Sequence, residues 1–142
     1  MKRKVLQMLT LCIGITVVGA IVIYEFFPHI YAIRTSIGEI NSTPSTWVNK
    51  LVVVEGKLYG PLVFIPESMP PYNYKLYRSN ETIETIGRKG SVSIGVLWNG
   101  QHDPNFGNIK RVVGIVREGR WLYLYGEHPI CYCIEAKKID RT

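Results

Sequence analysis

Cysteine is scarce in this chain, with Cys12, Cys131 and Cys133 the only three among 142 residues. Cys131 and Cys133 stand two apart in a β-like run, on one face of a strand, where the separation and side-chain geometry of a disulfide are hard to meet. No disulfide framework follows, and the redox state of the pair stays open. Histidine is equally sparse, and His102, His128, Cys131 and Cys133 match no standard zinc spacing, so no metal is expected. Glycine-rich phosphate loops are lacking. No Ser, His and acid set can be assembled, and no carboxylate pair can be placed. His102 and Asp103 are neighbours, but in a Gln-His-Asp-Pro-Asn stretch that turn geometry alone explains. No catalysis and no cofactor are expected. Repeats, coiled-coil heptads and low-complexity tracts are also absent, and no run of like charge exceeds Lys2-Arg3-Lys4.

What the chain does have begins at its N-terminus. From Val5 to Tyr24 twenty successive positions carry no charge. As a helix rising ~1.5 Å per residue, such a stretch spans the ~30 Å hydrocarbon layer of a bilayer. Tyr24, Phe26, Phe27 and Tyr31 follow as an interfacial aromatic belt would. Lys2, Arg3 and Lys4 precede the segment, whereas only Arg34 falls among the twenty residues after it. The positive-inside rule then puts the N-terminus in the cytoplasm and the remainder outside, as a signal-anchored, single-pass protein of the cell membrane. Two competing readings are a cleaved signal peptide, cut near Val18-Gly19-Ala20, and a lipoprotein signal at Cys12. The apolar stretch continues through Phe27, longer than a signal core, and Leu11 is bulky where a lipoprotein signal wants a small residue.

The organisation expected is therefore a cytoplasmic tip and anchor helix over 1–28, a juxtamembrane connector over 29–46 and a β-domain over 47–142. Taking out the anchor leaves about 100 residues, enough for one self-sufficient core. From Tyr31 onward 14 basic residues face 10 acidic ones, a mild excess that tolerates an anionic partner without demanding one.

Strand signals recur along this part. Lys50–Tyr59 places Val52, Val54 and Leu58 on one face, opposite Glu55 and Lys57, with Gly56 suggesting a bend. Leu62–Ile65 is a short run between prolines. Tyr72–Arg78 alternates Tyr74 and Leu76 against Lys75 and Tyr77. Ser91–Trp98 sets Val92, Ile94, Val96 and Trp98 against Ser91, Ser93 and Gly95. Asn99–Asn108 has loop composition. Lys110–Arg117, Trp121–Tyr125 and Cys131–Ile139 complete the set, the last pointing Tyr132, Ile134 and Ala136 one way. After the anchor, Glu81–Ile86 is the only helix candidate, and 41–46 (Asn-Ser-Thr-Pro-Ser-Thr) reads as a polar turn or linker. The fold class expected is all-β: a small barrel of five or more strands preceded by one transmembrane helix.

Three stretches carry a family likeness: Val52-Val53-Val54-Glu55-Gly56-Lys57-Leu58, Val112-Val113-Gly114-Ile115-Val116-Arg117 and Tyr132-Cys133-Ile134-Glu135-Ala136-Lys137-Lys138-Ile139. Their pattern resembles the first, fourth and closing strands of OB-folds, over about 90 residues. The chain departs from that family in lacking an obvious helix between its third and fourth strands, and an open β-sandwich is the structural alternative. With an N-terminal anchor, the layout is distantly similar to the haem chaperone of cytochrome c maturation. Tyr31, Thr35-Ser36 and Glu39-Ile40 resemble that family's connector, and His128-Pro129-Ile130-Cys131-Tyr132 spells its haem-attachment pattern. In that family the motif follows the last strand on a tail; here it enters the last strand, and only Asp140, Arg141 and Thr142 come after Ile139.

The OB likeness implies binding across the second and third strands and the adjoining loops. Tyr72, Lys75, Tyr77, Arg78 and Trp98 would lie there, with Arg111 and Arg117 on the fourth strand. Aromatic and basic groups together suit stacking on sugars or bases. The plainer reading makes the tyrosines core and the charges solvated. Two alternatives remain: a haem or metallocofactor carrier using His128 and Tyr132, and a nucleic-acid binder, which an extracytoplasmic address disfavours. Besides the lipid bilayer, met through Val5–Tyr24, the partner expected is another membrane or envelope protein, a peptide or an envelope saccharide. Asn41 and Asn80 begin Asn-x-Thr sequons and are candidate acceptors where exported proteins are glycosylated.

Overall fold

The computed structural model describes residues 2–63, 67–82, 84–86, 88–100 and 109–141. The chain divides into two compact units, Met1–Tyr31 and Ala32–Thr142.

The first unit is helix α1, Lys2–Phe26, followed by a 3-10 turn at Pro28–Ile30. Proline suits the first position of that turn because its missing N–H would have no partner there. The helix has a mean hydropathy of 2.4 over its most apolar window and is long and apolar enough to cross a membrane. A signal sequence at an N-terminus meets the same measure. Its hydroxyls are satisfied within the helix: Thr10 Oγ1 donates to the Leu6 carbonyl at 2.9 Å and Thr16 Oγ1 to that of Cys12 at 2.8 Å. Such back-bonding leaves few polar groups that would be stranded in hydrocarbon. At its end Tyr24 meets Tyr31, ring centroids 6.2 Å apart.

The second unit is mostly strand, a six-stranded sheet plus a two-stranded one. The six are β1 (Ile33–Arg34), β2 (Leu51–Tyr59), β4 (Tyr74–Tyr77), β5 (Ser93–Leu97), β6 (Ile109–Arg120) and β8 (Ile130–Arg141); β3 (Ser68–Met69) and β7 (Leu122–Tyr123) make the small sheet. Within the large sheet β2 pairs antiparallel with β4 through Lys57–Tyr59 and with β6 through Leu51–Lys57. Strands β4 and β5 are antiparallel, β5 and β8 parallel, and β6 and β8 antiparallel along nearly their whole length. Strand β1 adds a short parallel edge to β2.

The period-2 reading of the strands holds. Val52, Val54 and Leu58 of β2, Tyr74 and Leu76 of β4, and Ile94 and Val96 of β5 are buried in one cluster. Val112, Val116 and Ile134 join them, with Val92, Trp98 and Ala136 packed against the cluster. One irregularity lies at Gly114. Val113 opposes Lys138 while Gly114 opposes Ala136, so β8 carries Lys137 as an extra residue. That bulge restores Ile139 to the core side, where simple alternation would turn it outward. A side chain at Gly114 would strike the Glu135 carbonyl, so this close approach needs glycine.

Segment 29–46 is more than a connector. It holds β1, helix α2 (Ile37–Ser42) and the start of α3 (Pro44–Trp47), and α2 buries Ile37 and Ile40 in the core. The cause is a reciprocal cap. Ser36 Oγ accepts from the Glu39 amide at 3.2 Å, and Glu39 Oε2 accepts from the Ser36 amide at 2.9 Å. Pro44 then opens α3, and Trp47 packs against the core. By contrast the described residues of 81–86 form turns around Thr82 and Thr85, with no helix among them. Leu62 and Val63 lie outside any strand; Phe64, Ile65 and 101–108 fall outside the described residues.

Candidate ligand cleft on the outer face of β4

Strand β4 alternates, so Tyr74 and Leu76 enter the core while Lys75 and Tyr77 point the other way. That outer face is covered in part by the β3–β7 ribbon. Ser68 pairs with Tyr123 and Met69 with Leu122, and the Leu124 amide donates to the Glu67 carbonyl at 2.9 Å. Trp121, at the root of the ribbon, is fixed by its amide donating to the Pro129 carbonyl at 3.0 Å.

Beneath the ribbon lies an aromatic layer. Tyr72 meets Trp121 edge-on, centroids 5.6 Å apart and planes at 87°, and Trp121 stacks on Tyr123 at 6.0 Å. Tyr77 meets Tyr59 edge-on at 5.6 Å. Gly95 makes room for this layer, since a Cβ there would overlap the Tyr72 ring. Burial pushes the Tyr72 hydroxyl up to about 12, helped by Cys131, Tyr77, Cys133 and Tyr123 around it. Tyr77 is raised as well, by burial and then by Tyr59 and Glu81. Both phenols are therefore neutral near pH 7.

Between ribbon and sheet a cleft of about 260 Å³ is lined by Leu62, Val63, Ser68, Pro70, Lys75, Tyr77 and Trp121. Its walls are mainly apolar or aromatic, and none of these residues is acidic. The Trp121 indole Nε1–H is buried and has no hydrogen-bond partner among the described residues. A stranded donor of this kind costs about 1–3 kcal/mol unless something accepts from it. Val63 stands at the rim, 95 % exposed, and the ribbon leaves Met69, Leu122, Leu124 and Tyr125 exposed as well.

Of the seven sequence candidates, Lys75 and Tyr77 line the cleft and Tyr72 backs its Trp121 wall. The other four lie elsewhere. Trp98 packs against the core, its backbone held by the Asn73 side chain at 2.8 and 2.7 Å. The Arg78 guanidinium lies against Gly38 of α2. Arg111 reaches Glu55 at 3.2 Å. Arg117 bonds Glu135 at 2.9 Å and Asn49 at 2.8 Å. The outward arginines are thus tied to neighbours across the sheet.

His128 is exposed, and its Nδ1 accepts from the Tyr123 amide at 3.3 Å. Tyr132 is half-buried on β8. Cys131 and Cys133 are free thiols; burial raises both, Cys133 to about 11. Among the described residues no three His, Cys, Asp or Glu gather closely enough to hold a metal ion, and His102 and Asp103 fall outside those residues.

Reading the sequence by strands missed Trp121, Leu62, Val63, Ser68 and Pro70 as cleft residues. One signal was present. From Trp121 to Tyr125 the run is Trp-Leu-Tyr-Leu-Tyr, a strand with no polar face, which must be covered on both sides or offered to a partner. No protein-family model matches the chain, and no curated protein matches it.

Proposed function

We propose that the chain is a membrane-anchored, extracytoplasmic OB-like module that binds a protein, peptide or envelope ligand, without doing chemistry, through the cleft beside β4. The carrying observation is that cleft: an apolar, aromatic-walled recess on the outer face of the sheet, with Lys75 in its lining. Ligand sites have this character, a mostly apolar hollow with a few convergent polar groups. The exposed Leu122, Leu124 and Tyr125 beside it add the kind of apolar surface that marks interaction sites.

Other observations support the remaining parts of the reading. The pairing order runs β2, β4, β5, β8, β6 and returns to β2, with β5 and β8 the parallel pair. That order suits a small five-stranded barrel, in which β4 and β5 would be the second and third strands, the binding side of OB-folds. The length and apolarity of α1 suit an anchor, and Lys2-Arg3-Lys4 ahead of it suits a cytoplasmic N-terminus.

Two measurements on the full-length protein in cells test this. A Val63→Cys variant with Cys131 and Cys133 changed to Ser should react with a membrane-impermeant maleimide added outside; labelling only after lysis would refute the address. A photo-crosslinking residue at Val63 should join a specific partner or ligand, and the same residue at Glu55 should not. Equal products at both positions, or none at Val63, would refute the binding role.

A further inference from the structure

The cleft's polar inventory points to a ligand class. Lys75 contributes an ammonium, and among the described residues it has no acidic partner. Trp121 contributes an aromatic wall, its indole N–H being buried and without a partner among the described residues. A protonated lysine can only donate. Tyr77 and Ser68 offer hydroxyls, which turn to suit either role. None of the described lining residues is a carboxylate, so none of them supplies the negative charge that the ammonium calls for. The remaining walls are Leu62, Val63 and Pro70, which favour an apolar body.

We infer that the cleft takes a carboxylate carried on an apolar, residue-sized body, the carboxylate pairing with Lys75 and the body lying against the Trp121 wall. The volume of about 260 Å³ admits a group of that size and is below the usual range for a drug-sized ligand. A peptide's C-terminal residue and a free aryl or alkyl acid share this chemistry. The assignment rests on the binding role proposed above and names what that same site recognises. A charge-assisted bond in a partly dehydrated site is stronger than a neutral one, so the acid form should be favoured clearly over its amide. A neutral saccharide brings no charge for Lys75 and is disfavoured.

The test uses the full chain labelled with ¹⁵N-tryptophan in lipid nanodiscs, which gives one indole signal each for Trp47, Trp98 and Trp121. Trp121→Phe identifies the third. Titration with phenylacetate should move the Trp121 signal saturably, and phenylacetamide should bind about tenfold more weakly. Lys75→Gln should remove that preference, and Lys75→Arg should keep it, which separates charge recognition from a folding defect. N-acetyl-leucyl-phenylalanine, as free acid and as amide, sets the source. Tighter binding of the peptide acid than of phenylacetate supports a peptide terminus; the reverse order supports a small acid. No saturable shift with either acid, or equal shifts for acid and amide, overturns the inference. If that happens while Val63 still cross-links, the carboxylate class fails alone; if the cross-link also fails, the binding role falls with it.

Discussion

The Tyr72 ring occupies the space that a side chain at position 95 would fill, and it meets Trp121 in a T-shaped contact with centroids 5.6 Å apart. Gly95 on β5 is thus linked, through one ring, to the wall of the cleft. Gly95→Ala should force Tyr72 aside and cost about 1–3 kcal/mol, the usual penalty for overpacking. Chemical denaturation would measure it. Tyr72→Ala in the same background should recover part of the loss, because the two positions share one space and their effects do not add.

Helix α2 depends on its reciprocal cap. Ser36→Ala removes the acceptor for the Glu39 amide and should cost about 1 kcal/mol. Circular dichroism melts of the full chain would show a lower midpoint. Glu39 adds a pH signature: hydrogen bonds from Thr35 and then Ser36 hold its carboxyl below the usual range. A depressed folded-state value contributes stability above the ordinary carboxylate range and loses it as acid protonates the group. Thr35→Val, which removes the first of these hydrogen bonds, should therefore shrink the acid-side loss of stability.

The core and the outward arginines should answer very differently to substitution. Leu76→Ala, at a fully buried site, should cost about 2–5 kcal/mol through lost burial and the cavity left behind. Arg111→Gln breaks a half-exposed pair with Glu55 and should stay within about 1 kcal/mol. Equal losses from both would show that the arginine carries structure that its exposure does not suggest.

Alkali should loosen the outer layer. Burial raises Cys133 from 9.0 to about 11 and Tyr72 from 10.0 to about 12. In both cases the folded state holds the proton more tightly than the unfolded chain. The stability they contribute is full below the unfolded values and falls as pH rises through the folded ones. Melting midpoints should drop between about pH 9 and 12. Cys133→Ala with Tyr72→Phe should flatten that slope. In iodoacetamide labelling at pH 8, Cys131 should react ahead of the more buried Cys133.

Much of the domain was legible as pattern. Alternation put Val52, Val54, Leu58, Ile94 and Val96 inward because a strand turns successive side chains to opposite faces whatever its partner. Helix α2 was missed: Ser36-Ile37-Gly38-Glu39 carries its capping box, but the run of Asn, Ser, Thr and Pro after it reads as a linker by composition. A cap is a relation between two positions, and composition does not register it. Tyr132 shows the opposite limit. Its parity with Ile134 promises burial, yet it lies toward one end of β8 and stays half-buried.

By itself the sequence determined an N-terminal helix apolar enough for a bilayer and the inward residues of each long strand, because both follow from local spacing. Only the tertiary structure decided which outward residues are covered. Tyr72 and Tyr77 are buried since Ser68–Met69 and Leu122–Tyr123, more than fifty residues apart, pair into a ribbon over them. Contacts between such distant segments have no period along the chain, so the cleft between ribbon and sheet could be found only in three dimensions.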